Sequence, residues 1–185
     1  MKPTPVEKLM LTMLCDIHAS LGIKNSVDPE LVSRTIDDNA LWVLDWKYPR
    51  LSLDAELPED VHFVLDVLEM HFFLSESYQH LSEGDRERVI ASYPNAEKGV
   101  KYQGFDGNHE SHLIQIASYL IDDLERFSHP FAGLGSLNSH CPMVEVYQRM
   151  LGAFLPLKSD LGSEGLLDAD QIIAVLLERI HPSKR

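Results

Sequence analysis

Apolar residues recur along this chain at three- and four-residue intervals, and no stretch sustains the every-second-residue alternation of a half-buried strand, so the pattern predicts helices throughout. Thr4-Pro5-Val6-Glu7 combines a capping hydroxyl, a proline at the first helical position and a glutamate placed to reach back. A helix starts there and runs to Gly22, with Val6, Leu9, Met13 and Ile17 as its apolar stripe. Asp28-Pro29-Glu30 repeats the start signal for a helix carrying Val32, Ile36, Ala40, Val43 and Leu44, which Tyr48-Pro49 ends. Trp42 and Trp46, four apart, form one ridge on it and read as packing anchors. The longest helix spans Pro58 to Leu81 with Val61, Val64, Leu65, Leu68 and Phe72 on one face. Phe63, Val67, Met70 and Leu74 fall on nearly the opposite side, so this helix is either central or shared with a second subunit.

Beyond it the pattern predicts a short exposed helix over Asp85–Ser92, a loop over Tyr93–Lys101, and a helix from about Asn108 to Phe127 burying Leu113, Ile116, Ala117, Leu120 and Leu124. The run from Ser128 to Ser136 is too rich in Pro and Gly for regular structure. Pro142 restarts a helix with Tyr147, Met150, Leu151 and Phe154 inside, and Leu167-Asp168-Ala169-Asp170-Gln171-Ile172 opens a last one with a capping box and a hydrophobic staple. The fold class is therefore all-α: a single multihelical domain over residues 1–185, with six to seven helices around the one spanning 58–81. A homo-oligomer is expected through Phe63, Val67, Met70 and Leu74.

Composition narrows the function more than it names it. The chain has 185 residues and a net charge of −13, with its sixteen Lys and Arg scattered, which argues against nucleic acid as a partner. No apolar run approaches the ~20 residues of a membrane span, and the N-terminus lacks a signal peptide's apolar core, so the protein is expected in the cytoplasm. Cys15 and Cys141 are too few and too far apart for a disulfide framework or a cysteine zinc site. No cofactor is implied.

Chemistry concentrates in Tyr102–Phe127, where Gly104 and Gly107 bracket Phe105-Asp106, and His109, Glu110 and His112 follow. The two histidines are the weak metal candidates of the chain; their spacing is one residue short of the His-Glu-x-x-His peptidase pattern. Helical projection turns Glu110, and Asp106 with it, toward the core, where carboxylates need partners: backbone and caps on one reading, a ligand pocket on the other. Asp66 with Glu69 and Asp122 with Glu125 repeat an acid-x-x-acid spacing that magnesium-holding helical hydrolases use, but they project away from the core. His62, His71 and His80 are about 27 Å apart end to end and share no metal. Cys141 stands where Pro142 needs an N-cap.

Four stretches together resemble the YfbU family: Leu65–Met70, Gly104-Phe105-Asp106 with Glu110, Glu125-Arg126-Phe127 with His129, and Pro142-Met143 followed by Tyr147–Leu151. Their order and spacing follow the family from about Val6 to Ile173. The chain departs from the pattern at Cys141 and at Pro130. The resemblance implies an all-helical domain, found alone or in some relatives beside a helix-turn-helix domain, and hence ligand sensing; it brings no established activity. The family-like Asp106, Glu110, Arg126, Tyr147 and Arg149 become the candidate ligand-binding residues. Three functions stand: a non-enzymatic small-ligand-binding or regulatory module, with its pocket roofed by the Ser128–Pro142 loop; a divalent-metal nucleotide or phosphoester hydrolase using helix carboxylates; and an interaction protein without a pocket.

Overall fold

The computed structural model describes residues 3–24, 26–127, 131, 136–161 and 165–184. They are helical, with one isolated parallel bridge, between Phe105 and Asn138, in place of any strand among the described residues. No described helix is long and apolar enough to cross a membrane. The chain divides into two compact units, Met1–Pro58 and Glu59–Arg185.

The first unit holds α1 (Pro5–Ser20), α2 (Pro29–Asp37), α3 (Leu41–Lys47) and a 3-10 turn at Pro49–Leu51. Thr4 and Glu7 close the capping box the sequence announces: the Thr4 hydroxyl accepts from the Glu7 amide, and the Glu7 carboxylate from the Thr4 amide at 2.7 Å. The single helix expected over residues 28–48 is instead two. Asn39 adopts a left-handed conformation with φ of 54°, and the Ala40 amide reaches back to the Thr35 carbonyl at 2.8 Å, the wrap that ends a helix. The turn lets Leu31 and Ile36 of α2 and Trp42, Val43 and Leu44 of α3 all be buried. Trp42 meets Trp46 edge to face, with ring centroids 5.2 Å apart. α1 departs from expectation more sharply: it packs against α2 yet buries none of its residues, and its apolar stripe stands in solvent.

The second unit is built on α4 (Glu59–His80). Around it lie α5 (Glu83–Ser92), α6 (Ala96–Gly99), α7 (Ser111–Ser118), α8 (Val144–Leu161) and α9 (Ala169–Leu177). α7, α8 and α9 all pack on α4. Both stripes of α4 are consumed: Val61, Val64 and Leu68 on one side, and Val67, Met70 and Leu74 on the other, are fully covered within one chain. Phe63 is half-buried, its ring 6.1 Å from that of Phe105. Three of the four residues expected to face a second subunit, Val67, Met70 and Leu74, are thus covered within the chain, and Phe63 in part.

α7 is also shorter than the predicted helix. After Ser118 the chain widens into a π turn over Tyr119–Asp123 and stops where Glu125 turns left-handed. The Arg126 amide reaches back to the Leu120 carbonyl at 3.0 Å, which closes the end. At the centre of the unit, the rings of His71, Tyr102, Phe105 and Tyr147 meet at centroid distances of 5.4 to 6.1 Å. His71 is fully buried, its Nδ1 against the Val100 carbonyl at 2.8 Å, and burial pushes its pKa down to about 3, so the ring is neutral.

Candidate functional site

Gly104 has a φ of 82°, and a Cβ there would fall 1.8 Å from the Leu137 carbonyl oxygen, so only glycine lets the two segments meet. The Phe105 amide then donates to that carbonyl at 3.0 Å, and the Ser139 amide donates to the Phe105 carbonyl at 2.9 Å. Gly107 plays the matching part three residues on: its amide donates to the Asn138 side-chain oxygen at 3.0 Å, and an added Cβ would sit 2.6 Å from Asn138 Nδ2. Residues 104–110 and 137–144 are therefore knitted into one double loop.

Glu110 locks it. Glu110 is 6% exposed, and its carboxylate accepts the amides of Asp106, Met143 and Val144 at 2.9 Å, the last two standing just before and at the start of α8. A negative group at a helix N-terminus with three main-chain donors is well stabilised, so the burial of this charge is compensated within the chain. Asp106, also buried, accepts from His109 Nδ1 at 2.5 Å and from the Asn108 amide and side chain. The hydrogen bond from His109, then those from Asn108, hold its carboxyl below the usual carboxylate range. Tyr147 is fully buried; its hydroxyl donates to the Gly104 carbonyl at 3.0 Å and accepts from the Gln103 amide. Three of the five candidate residues thus hold the double loop together.

The remaining two arginines open onto different surfaces. Arg126 lines a groove of about 560 Å³ with His62, Asp66, Glu69, Phe72 and Phe127. There Lys158 pairs with Glu69 at 2.6 Å, and burial raises the half-buried Asp66 carboxyl. Asp122 accepts from the Ser118 hydroxyl on the exposed side of the π turn. Arg149 lines another groove, of about 680 Å³, between the start of α8 and the end of α9. Its walls carry His109, Glu110, Glu145, Arg179 and His181. Asp106, Glu110, Arg126 and Arg149 do not share one pocket.

His109 and His112 diverge as well, the first to Asp106 and the second toward Asp60 at 3.7 Å. Among the described residues no three His, Cys, Asp or Glu side chains gather to hold a metal. His129, Pro130 and Gly133 to Gly135 lie outside the described residues, as does most of the loop expected to roof a pocket.

In the Arg149 groove the two guanidiniums meet main-chain oxygens rather than acids. Arg149 donates to the carbonyls of Glu178 and Glu145, both at 3.1 Å, and Arg179 to the Gly99 carbonyl at 3.4 Å and the Met150 sulfur. Neither reaches a carboxylate within ion-pair distance among the described residues, in a chain of net charge −13. Arg179 and His181 carry no motif in the sequence. The only signal for them is a basic pair at the C-terminal end of a helix otherwise acidic at its start, and α9 ends where α8 begins only in three dimensions.

A double loop locked by a buried glutamate, an all-helical body around it and a polar groove beside it define a helical module. The YfbU domain model matches residues 1–173, running through both compact units, and the chain belongs to the YfbU family. It is similar to the UPF0304 protein MJECS11 of Methanocaldococcus jannaschii, 33% identical over 120 residues that cover 61% of this chain and 68% of that one.

Proposed function

We propose that this YfbU protein is a non-enzymatic binding module whose ligand is a small anion, a carboxylate or a phosphate, held in the groove between α8 and α9. The observation that carries the reading is the pair Arg149 and Arg179, whose guanidiniums are held by carbonyls and meet no acid at ion-pair distance among the described residues. An arginine already ordered by main-chain bonds loses little freedom on binding, and its planar fork suits carboxylate and phosphate oxygens. Glu110, the acid on the inner wall, has its oxygens engaged by three amides. Glu145 stands at the exposed rim and sets a preference for ligands whose charge sits toward the arginines.

The test is a thermal-shift series with inorganic phosphate, citrate and AMP at millimolar concentration, followed by calorimetry on any ligand that shifts. A ligand at 100 times its Kd raises stability by about 2.7 kcal/mol, a readily measured rise in Tm. Arg149→Met and Arg179→Met should each remove that rise while leaving the helical spectrum intact. If none of the three anions shifts the wild type, the groove is not an anion site and the interaction-protein reading takes its place.

A further inference from the structure

α1 carries an apolar ridge on the face turned away from α2. Its half-buried positions, Lys8, Leu11, Thr12, Cys15 and His18, recur at helical spacing on one side, and the Lys8 ammonium reaches the Asp37 carbonyl of α2 at 3.3 Å. Val6, Met13 and Ile17 project nearly opposite, with Met10, Leu9 and Leu14 on their flanks, and all six are between 52% and 66% exposed. Together they present on the order of 600 Å² of hydrocarbon, at the upper limit of the largest apolar patch on a typical monomer. Leu21, 70% exposed, and Ile23, 49% exposed, extend the ridge past the helix end and bring it near the ~800 Å² that each partner contributes to a standard interface.

We infer that α1 pairs with α1 of a second copy of this chain about a two-fold axis near Met13 and Leu14, the helices running antiparallel. The ridge is continuous, matches the standard area when doubled, and has its nearest acid, Asp16, on the edge toward α2 rather than at its centre, which suits self-association about an axis. Charges at its margins choose the direction. Glu7 lies at the start of the ridge and Lys24 beyond its end. Parallel pairing would set each Glu7 beside its own copy, whereas antiparallel pairing separates the two by about 20 Å and brings each toward the Lys24 end of the other helix. It also opposes the two helix dipoles favourably. Two methionines at the ridge centre supply side chains that adapt to a copy of themselves. This inference does not depend on the anion groove, which lies in the other compact unit.

Light scattering on the full chain at 20 to 50 µM should give twice the 21.0 kDa chain mass. Met13→Lys places two like charges next to the axis and should return the chain mass at the same concentration, a weakening of dimer affinity of at least ~100-fold, with an unchanged helical spectrum because the position is exposed. Leu155→Lys, on an exposed point of α8, should leave the dimer intact. A Met13→Cys variant should form a disulfide-linked dimer under mild oxidation. A wild-type monomer at 50 µM overturns the proposal, and so does a dimer that Met13→Lys leaves whole.

Discussion

Two regions of this protein invert the usual partition of polar outside and apolar inside, and they do so in opposite ways. The double loop hides a charge: the Glu110 carboxylate is buried, yet three amides of its own chain accept the role of solvent. α1 exposes hydrocarbon: six large apolar side chains stand more than half exposed, and none of its residues is buried. An inversion compensated inside the chain is architecture. One left uncompensated is the basis on which the pairing of α1 with a second copy is proposed. That difference separates the residues that look functional because they are unusual from those that are available for function, and substitutions in the two regions should behave accordingly.

The largest effect is expected at the lock. Glu110→Ala leaves the amides of Asp106, Met143 and Val144 without their acceptor in a buried site, at about 1–3 kcal/mol for each unsatisfied group. Relaxation and water entry recover part of this, and a net loss of about 3–5 kcal/mol is expected, read from the shift of the urea midpoint. A loss under 1 kcal/mol would mean that the buried acid is not structural, and the contrast with α1 would collapse. Next comes Gly104→Ala, whose Cβ meets the Leu137 carbonyl in a left-handed backbone; about 2–4 kcal/mol should be lost, from conformational strain and the opened bridge.

His71 extends the same logic to pH. Its folded pKa of about 3 lies below the unfolded value of about 6.5, so the unfolded chain binds the additional proton between those values. Stability is therefore complete above about pH 6.5 and falls as pH decreases toward 3, by about 1.4 kcal/mol per unit, or about 2 kcal/mol at pH 5. The carboxyls with lowered pKa, Glu7, Asp85 and Asp106, act only at lower pH. His71→Phe should flatten the slope between pH 6.5 and 5 by one proton, since the Val100 carbonyl keeps the Ser75 hydroxyl as a donor and His71 Nε2 has no partner to lose among the described residues. Urea titrations at the two pH values measure this directly, and an unchanged slope would show that the ring is not buried neutral.

How much of this was legible beforehand follows from the range of each interaction. The capping boxes at Thr4 and Asp168 act over three residues, and both appear where the sequence puts them. Gly104 and Gly107 also announce themselves, because a backbone approach that no Cβ survives leaves only glycine. Projection placed Glu110 on the core side; that its partners would be the amides of Met143 and Val144 depends on a contact across thirty-three residues, which no local spacing encodes. Arg149 and Arg179 come to line one groove for the same reason. Asn39 could have been read, since Asn is the residue other than glycine that most readily turns left-handed at a helix end, but the apolar stripe continues across it and hides the break. Periodicity likewise identified the apolar face of α1 correctly, and it carries no information about what covers a face.

The smallest effect is the most diagnostic. Met13→Ser and Leu9→Ser should each change the stability of the isolated chain by no more than about 0.5 kcal/mol, because side chains already more than half in water lose little by becoming polar. A buried apolar position in α9 offers the scale: Ile172→Ala, fully enclosed, should cost about 2–5 kcal/mol. The comparison is made in dilute protein, where any self-association through α1 is absent. Raising the concentration then adds a term by mass action that the wild type gains and the serine variants do not. A Leu9→Ser variant as destabilised as Ile172→Ala at nanomolar concentration would mean that α1 is covered within its own chain, which would turn its ridge from an interface into part of the core.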